Sequence, residues 1–214
     1  MRALGNDKTR FEVIFLRSEY NGGLTREQFL FYETRIVAAM LSCGMDRKEI
    51  LIRVKEENLF QFPTERMIES IAGTCFRRLD ALDSDTLVYH LGNGSADVAK
   101  QINLYAMMKQ NRIVWDFMTT VIGEKYRTQE TEFTRKDLNV FMSQLREQND
   151  TVAAWRESTI GKIKQVLVKC LIECDYLDSS KDADLNPITI VPELEDEIRG
   201  NNDMGALSAF NCFR

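Results

Sequence analysis

A row of polar and basic side chains follows one face of a predicted helix that begins near Ser158. Apolar residues recur at helical spacing on the opposite face, so the polar side chains are expected to be exposed. Lysine neutralises phosphate as a point charge, and hydroxyl and amide groups bind phosphate oxygens or base edges. The pattern predicts a surface for double-stranded DNA, with mainly sequence-independent and salt-sensitive binding. The residues concerned are Arg156, Ser158, Thr159, Lys162, Lys164, Gln165 and Lys169.

A second, weaker basic patch is predicted on a long amphipathic helix that opens at Thr64. Its apolar stripe leaves Arg66, Arg77 and Arg78 on other faces. These arginines could contact DNA or, as an alternative, RNA, although no aromatic stacking platform for bases accompanies them. Both basic sets also fit the simpler interpretation of an ordinary solvated helix face.

The sequence lacks the residue patterns that a metal site, a phosphate-binding loop or nucleophilic catalysis requires. A metal site requires several converging ligands, yet His90 is the only histidine, and the nearest cysteine pair, Cys170 and Cys174, lies on one helix. The turn from Gly92 to Ser95 lacks the lysine of a phosphate-binding loop. With one histidine and no nucleophile-elbow pattern, the sequence also shows no nucleophile paired with a base. We therefore expect a non-enzymatic protein without a metal or another cofactor.

Acidic residues are concentrated near the C-terminal end of the chain. The 214 residues carry a formal net charge of -5, and Glu173 to Arg199 contains nine acidic but only two basic residues. The preceding part is slightly basic and can present a basic face. The acidic stretch from Asp175 to Glu197 also suits a basic protein partner, so an interaction adaptor is the alternative to a DNA-binding protein.

The cysteines and the hydropathy of the chain indicate the compartment. Five cysteines in no regular framework, most of them inside apolar patterns, are typical of reduced thiols in the cytosol. The chain start lacks a signal-peptide pattern, and no apolar run approaches the roughly 18 residues that span a membrane. We therefore expect a cytoplasmic protein outside the membrane. A short apolar run, Phe11 to Leu16, can be a strand or a buried lead-in.

The elements that position these side chains fall into two predicted units. Residues 1–126 carry successive amphipathic patterns with helix starts at Asp46, Thr64, Ser84 and Ser95, and are predicted to form an N-terminal helical domain. The polar stretch 125–133 interrupts these patterns. Residues 127–214 are predicted to form a second domain with a short tail.

The second domain is predicted to be a winged helix. A helix from Thr134, a short helix, and the basic helix are followed by two β-prone runs, Asp175–Leu177 and Pro187–Val191, with a turn-rich acidic loop between them. This is the winged-helix order, in which the third helix enters the major groove. The acidic loop disfavours the wing as a phosphate clamp. The predicted fold class is mainly α, a multi-helix bundle followed by a winged-helix unit.

Seven short motifs spread over most of the chain carry a family resemblance. They are Gly22–Leu24, Glu33–Ala38, Glu57–Gln61, Arg78–Leu79, Gln101–Ala106, Asp116–Phe117 and Trp155–Lys162. In order and spacing they resemble the BrxA family of bacterial BREX phage-exclusion systems, from about Asn21 to Val191. The resemblance implies a small helical accessory protein of a phage-defence locus, without known catalysis and able to bind double-stranded DNA. It also implies other BREX components as candidate partners.

Overall fold

The computed structural model describes residues 19–213, and the protein is mainly helical in this range. The predicted fold class is therefore confirmed as far as its helical character is concerned. None of the helices in the described range combines the length and the hydropathy needed to cross a membrane. The apolar run Phe11 to Leu16, predicted as a strand or a buried lead-in, lies outside the described residues.

A 3₁₀ turn, Gly22–Thr25, leads into a bundle of five helices. At four of the helix starts, the predicted Asp46, Thr64, Ser84 and Ser95 side chains accept a hydrogen bond from a backbone N–H group of the first turn. These bonds satisfy donors that have no partner inside the helix, which fixes where each helix begins. The helices are α1 (Phe31–Ser42), α2 (Arg47–Glu56), α3 (Glu65–Leu82), α4 (Asp85–Asn93) and α5 (Ala96–Gln110).

The remainder of the chain is also helical and packs on this bundle. A continuous run consists of α6 (Arg112–Phe117), a π-helical turn (Met118–Ile122) and α7 (Gly123–Thr128). Then follow α8 (Arg135–Gln148), α9 (Asp150–Ala153), α10 (Glu157–Glu173), α11 (Pro192–Gly200) and a 3₁₀ helix (Met204–Phe210).

One continuous apolar core contains side chains from both predicted domains. Cys170 Sγ of α10 lies 3.7 Å from Met107 Sδ of α5. The Phe117 ring of α6 makes edge-to-face contacts with the rings of Phe133 and Phe141. The division at residue 126 stays a prediction, and the parts on either side of it share an apolar interface.

The predicted β-hairpin, and with it the wing of the winged helix, is wrong, because no strand is present in residues 19–213. The first predicted strand, Asp175–Leu177, instead turns directly out of α10. The N–H group of Tyr176 donates to Leu171 O at 2.8 Å, and its hydroxyl donates to Ala209 O at 2.9 Å. The side chain of Tyr176 is fully buried, so this segment is held against the core.

The second predicted strand lies against α5. Gln101 of α5 donates from Nε2 to Thr189 O at 2.9 Å and accepts at Oε1 from Val191 N–H at 2.9 Å. One side chain thus satisfies the backbone groups that a hairpin partner would have bound. The one bridge in the described residues is isolated and antiparallel, between Glu132 and Asp184. The order helix, short helix, helix in α8 to α10 is present without a wing.

The backbones of helices α1 and α4 lie in close contact at Gly92. A Cβ atom placed on Gly92 would lie 2.6 Å from Ala39 N and 2.9 Å from Ala38 C, which are both backbone atoms of α1. Backbone cannot move aside as a side chain can, so this contact requires glycine. Gly161 in α10 differs, since a Cβ there would have no neighbour within 4 Å.

We expect Gly92→Ala to lower the free energy of unfolding by about 1–3 kcal/mol, because α1 and α4 must separate to admit the methyl group. Urea denaturation followed by far-UV circular dichroism measures this. The control, Gly161→Ala, should raise the free energy of unfolding by about 0.5–1 kcal/mol, because alanine favours helix over glycine. Equal stability of the two variants would contradict the packing described for Gly92.

Candidate nucleic-acid interface

Helix α10 separates an apolar face from a polar one. The exposed polar residues are spaced i, i+4, i+7 and i+11, which aligns them along one side of the helix. At 1.5 Å per residue this row is roughly 17 Å long, and it contains no acidic residue. We refer to it as the α10 stripe, formed by Ser158, Lys162, Gln165 and Lys169. The buried face of α10 comprises Ile160, Ile163, Val166, Leu167, Cys170 and Leu171.

The other predicted residues of this helix flank the stripe. Arg156 is exposed at the N-cap position of α10. Thr159 is half-buried, with its Cγ2 atom 3.7 Å from the position that a Cβ on Gly22 would occupy. Lys164 is half-buried on the side of α8, where its Nζ donates to Asn139 Oδ1 at 2.7 Å. The structure therefore places all seven predicted residues on or beside one surface.

The lysines of the α10 stripe have no carboxylate partner among residues 19–213. Lys169 donates to the side-chain oxygen of Gln28 at 3.2 Å, and Lys162 has no hydrogen-bond or ion-pair partner there. The acidic residue at the start of the helix, Glu157, is paired with Arg146 of α8 at 2.6 Å. The positive charge of the stripe is therefore not neutralised from within the described chain.

The two predicted basic patches meet at the segment Glu27–Gln28. Gln28 accepts from Lys169 of the stripe, while the Glu27 carboxylate is paired with Arg77 of α3 at 2.7 Å. Arg77 thus lies near the C-terminal end of the stripe. Arg66 is eleven residues earlier on α3, roughly 17 Å along the helix axis, and is exposed.

The prediction that Arg78 is available on a surface is wrong, because its side chain is fully buried. Its guanidinium donates to three consecutive carbonyl oxygens, those of Glu27 (at 3.0 Å), Gln28 and Phe29, and also to Gln110 Oε1 at 3.2 Å. Burial lowers the pKa of Arg78 from its very high ordinary value. Arg78 holds the segment that contacts Lys169 and Arg77.

A cleft of about 810 Å³ opens beside the stripe, between α8, α10 and the loop after α10. We refer to it as the α8–α10 cleft. Four cations line it, and we name them the basic rim: Arg135, Lys164, Lys169 and Lys181. Its inner wall, the apolar floor, comprises Phe133, Leu138, Val168, Ile172 and Leu177. Arg135 and Lys181 were not predicted, since neither belongs to a periodic basic pattern.

Burial keeps three of the five thiols protonated, while Cys43 is exposed and Cys212 is half-buried. Burial raises the pKa of Cys75 to about 11 and that of Cys170 to about 12, and holds the pKa of Cys174 well above its ordinary value. The half-buried His90 packs against Tyr89 with ring centroids 5.6 Å apart. Within residues 19–213, no three His, Cys, Asp or Glu side chains lie close enough together to share a metal ion. The expectation of a non-enzymatic protein without a cofactor stays a prediction.

A family model described as BrxA matches residues 18–202. The chain belongs to the BrxA family. It is 35% identical over 162 residues to "BREX protein BrxA" of Bacillus cereus (strain H3081.97), which covers 76% of this chain and 80% of that relative. It is also 24% identical over 195 residues to "BREX protein BrxA" of Escherichia coli O9:H4 (strain HS), which covers 91% of each chain.

A solved structure resembles this BrxA-family chain along nearly its whole length. It is the crystal structure of an uncharacterized protein from Magnetospirillum magneticum, with a TM-score of 0.77 and 22% sequence identity. The match covers 90% of this chain and 98% of that one. At this identity the likeness shows a shared fold.

We expect Arg78→Met to lower the free energy of unfolding by about 3 kcal/mol, because three carbonyl groups lose their buried donor. Arg78→Lys should restore little of this, because an ammonium group lacks the planar fork of donors. The control is Arg77→Met, which removes an ion pair with Glu27 and a hydrogen bond to Thr74 from a partly exposed side chain and should cost about 1 kcal/mol. Chemical denaturation measures all three, and similar losses for Arg77→Met and Arg78→Met would contradict the anchoring role.

Proposed function

We propose that this protein is a phage-defence protein of a BREX system and that it binds double-stranded DNA with little sequence preference. The observation that carries DNA binding is the α10 stripe, which is exposed, roughly 17 Å long and free of carboxylates. The stripe lies on the third helix of a helix, short helix, helix order, the position that enters the major groove in helix-turn-helix proteins. The BREX role is supported by membership of the BrxA family and by the names of the curated relatives.

The side chains of the stripe suit phosphate binding better than base readout. Lys162 and Lys169 are seven residues apart, roughly 10 Å along α10, and each can neutralise a phosphate. Gln165 lies between them and can bind a base edge through its amide, while Ser158 lies at the N-terminal end. Because one amide distinguishes few base pairs, most of the binding free energy comes from the backbone, and the affinity falls with salt.

Further cations extend this surface at both ends. Arg156 adjoins the N-terminal end of α10, and Arg77 adjoins the C-terminal end of the stripe through Glu27 and Gln28. Arg77 is already paired with Glu27, so we expect it to add less affinity than the unpaired Lys162. A wing plays no part in this mode of binding, since residues 187–191 pack on α5.

The alternative function is an interaction adaptor that uses the acidic stretch from Asp175 to Glu197. Part of this acidity is already neutralised within the chain, because Asp175 pairs with Lys100 and Glu195 with Arg199, each at 2.7 Å. We therefore favour DNA as the ligand. In the same proposal, the protein acts in the cytoplasm by binding and not by catalysis, without a metal or another cofactor.

We expect the double reversal Lys162→Glu and Lys169→Glu to weaken DNA binding by about tenfold or more, because two phosphate contacts become repulsive. The loss should be similar for unrelated duplex sequences, and the slope of log affinity against log salt should fall by about two. Fluorescence anisotropy of labelled duplexes over a potassium chloride series measures both quantities.

The matched control is Lys48→Glu with Arg53→Glu, which makes the same change in net charge on two exposed residues of α2 outside both predicted basic patches. Lys48 lies in the first turn of α2, where an acidic residue is favourable, and Arg53 makes only an exposed ion pair with Glu57, so the control variant should fold. It should bind DNA within about twofold of the unmodified protein. Equal losses of DNA affinity in both double variants would show that net charge, and not the α10 stripe, determines the binding. Absence of salt-dependent binding by the unmodified protein would overturn the DNA function.

A further inference from the structure

The lining of the α8–α10 cleft has an excess of positive charge. The side chains of Arg135 and Lys181 have no ion-pair partner in residues 19–213, and Lys164 donates only to the amide of Asn139. One acidic residue, Asp182, lines the cleft against the four cations of the basic rim. A ligand that enters the cleft is therefore favoured if it is anionic.

The apolar floor sets a second requirement. Val168 and Ile172 are half-buried and one helical turn apart on α10, so they offer two adjacent apolar contacts along the length of the cleft. Phosphate groups would use the basic rim and leave these two side chains uncovered. A volume of about 810 Å³ is within the size range of ligand-binding clefts. An occupant that matches both features combines carboxylates with apolar side chains, and an amphipathic helix presents the two together.

We propose that the α8–α10 cleft docks an acidic amphipathic helical segment of a partner protein. The apolar residues of that segment cover Val168 and Ile172, and its carboxylates pair with the basic rim. This site goes beyond DNA binding and does not depend on it. The two surfaces share Gln165 and Lys169, so a docked segment covers one end of the α10 stripe.

The test uses two labelled helical peptides and the full chain. In the first peptide, leucine repeats at i, i+4 spacing on one face and glutamate fills the other positions. The second peptide has lysine in place of every glutamate. Anisotropy titrations should show saturable binding of the acidic peptide and none of the basic one. Failure of the acidic peptide to bind, or equal binding of both, would overturn the proposal.

Variants locate the binding. The double variant Arg135→Glu with Lys181→Glu changes two exposed residues outside the α10 stripe. It should lower the affinity for the acidic peptide about tenfold. Val168→Thr keeps the shape of the side chain and should weaken it about threefold by replacing a methyl group with a hydroxyl. The control variant Lys48→Glu with Arg53→Glu should bind the acidic peptide within about twofold of the unmodified protein.

Two further measurements distinguish other occupants and separate this proposal from DNA binding. Duplex DNA is titrated in parallel against the variant Arg135→Glu with Lys181→Glu, which we call the rim variant. If the rim variant has a lower affinity for DNA but an unchanged affinity for the acidic peptide, the cleft is a nucleic-acid contact. That result contradicts the docking proposal. If sedimentation shows self-association that the rim variant abolishes, the occupant is a second copy of this chain, which also contradicts it. Loss of the peptide alone supports the proposal whether or not the unmodified protein binds DNA.

Discussion

The buried guanidinium of Arg78 fixes the part of the chain on which the candidate interface depends. It donates to three successive carbonyl groups, from Glu27 to Phe29, and Asn103 of α5 donates to Phe29 O as well, at 2.8 Å. The Glu27 carboxylate accepts from Gln110 Nε2 at 3.1 Å. A charged group in the core is stable only when its hydrogen-bond donors have partners. Movement of the segment from Glu27 to Phe29 would therefore cost a large free energy.

The fixed segment and the core together set which face of α10 meets solvent. The thiols of Cys170 and Cys174 lie against α5, the second one 3.8 Å from Lys100 O, which holds the apolar face inward. Gln28 on one side and Asn139 on the other each accept from a lysine of α10. With both flanks occupied, the row from Ser158 to Lys169 points away from the protein, and its lysines are available to phosphate.

Local signals in the sequence predicted much of this arrangement. Capping residues such as Asp46 and Thr64 predicted helix starts because their side chains act on the backbone a few residues away. The period of α10 predicted its exposed stripe for the same reason, since the signal lies within one helix. The likeness to BrxA over most of the chain was also readable from short motifs, and the family match confirmed it.

The errors arose where distant residues decide the outcome. The run Pro187–Val191 has strand-forming residues, but the Gln101 amide, some ninety positions away, binds its backbone and removes the need for a partner strand. Arg78 follows Arg77 in the sequence and is equally polar. Arg78 is nevertheless buried, where it donates to the carbonyls of Glu27 to Phe29, while Arg77 is exposed. The basic rim was missed because only tertiary packing brings Arg135 and Lys181 together.

Lysine footprinting tests the central claim, that the α10 stripe is the DNA-binding surface, most directly. The protein is acetylated briefly with and without saturating duplex DNA, and the modification of each lysine is measured by mass spectrometry. DNA should protect Lys162 and Lys169 and leave Lys48 of α2 as reactive as in the free protein. Unchanged reactivity of Lys162 and Lys169 in the bound state would contradict the account.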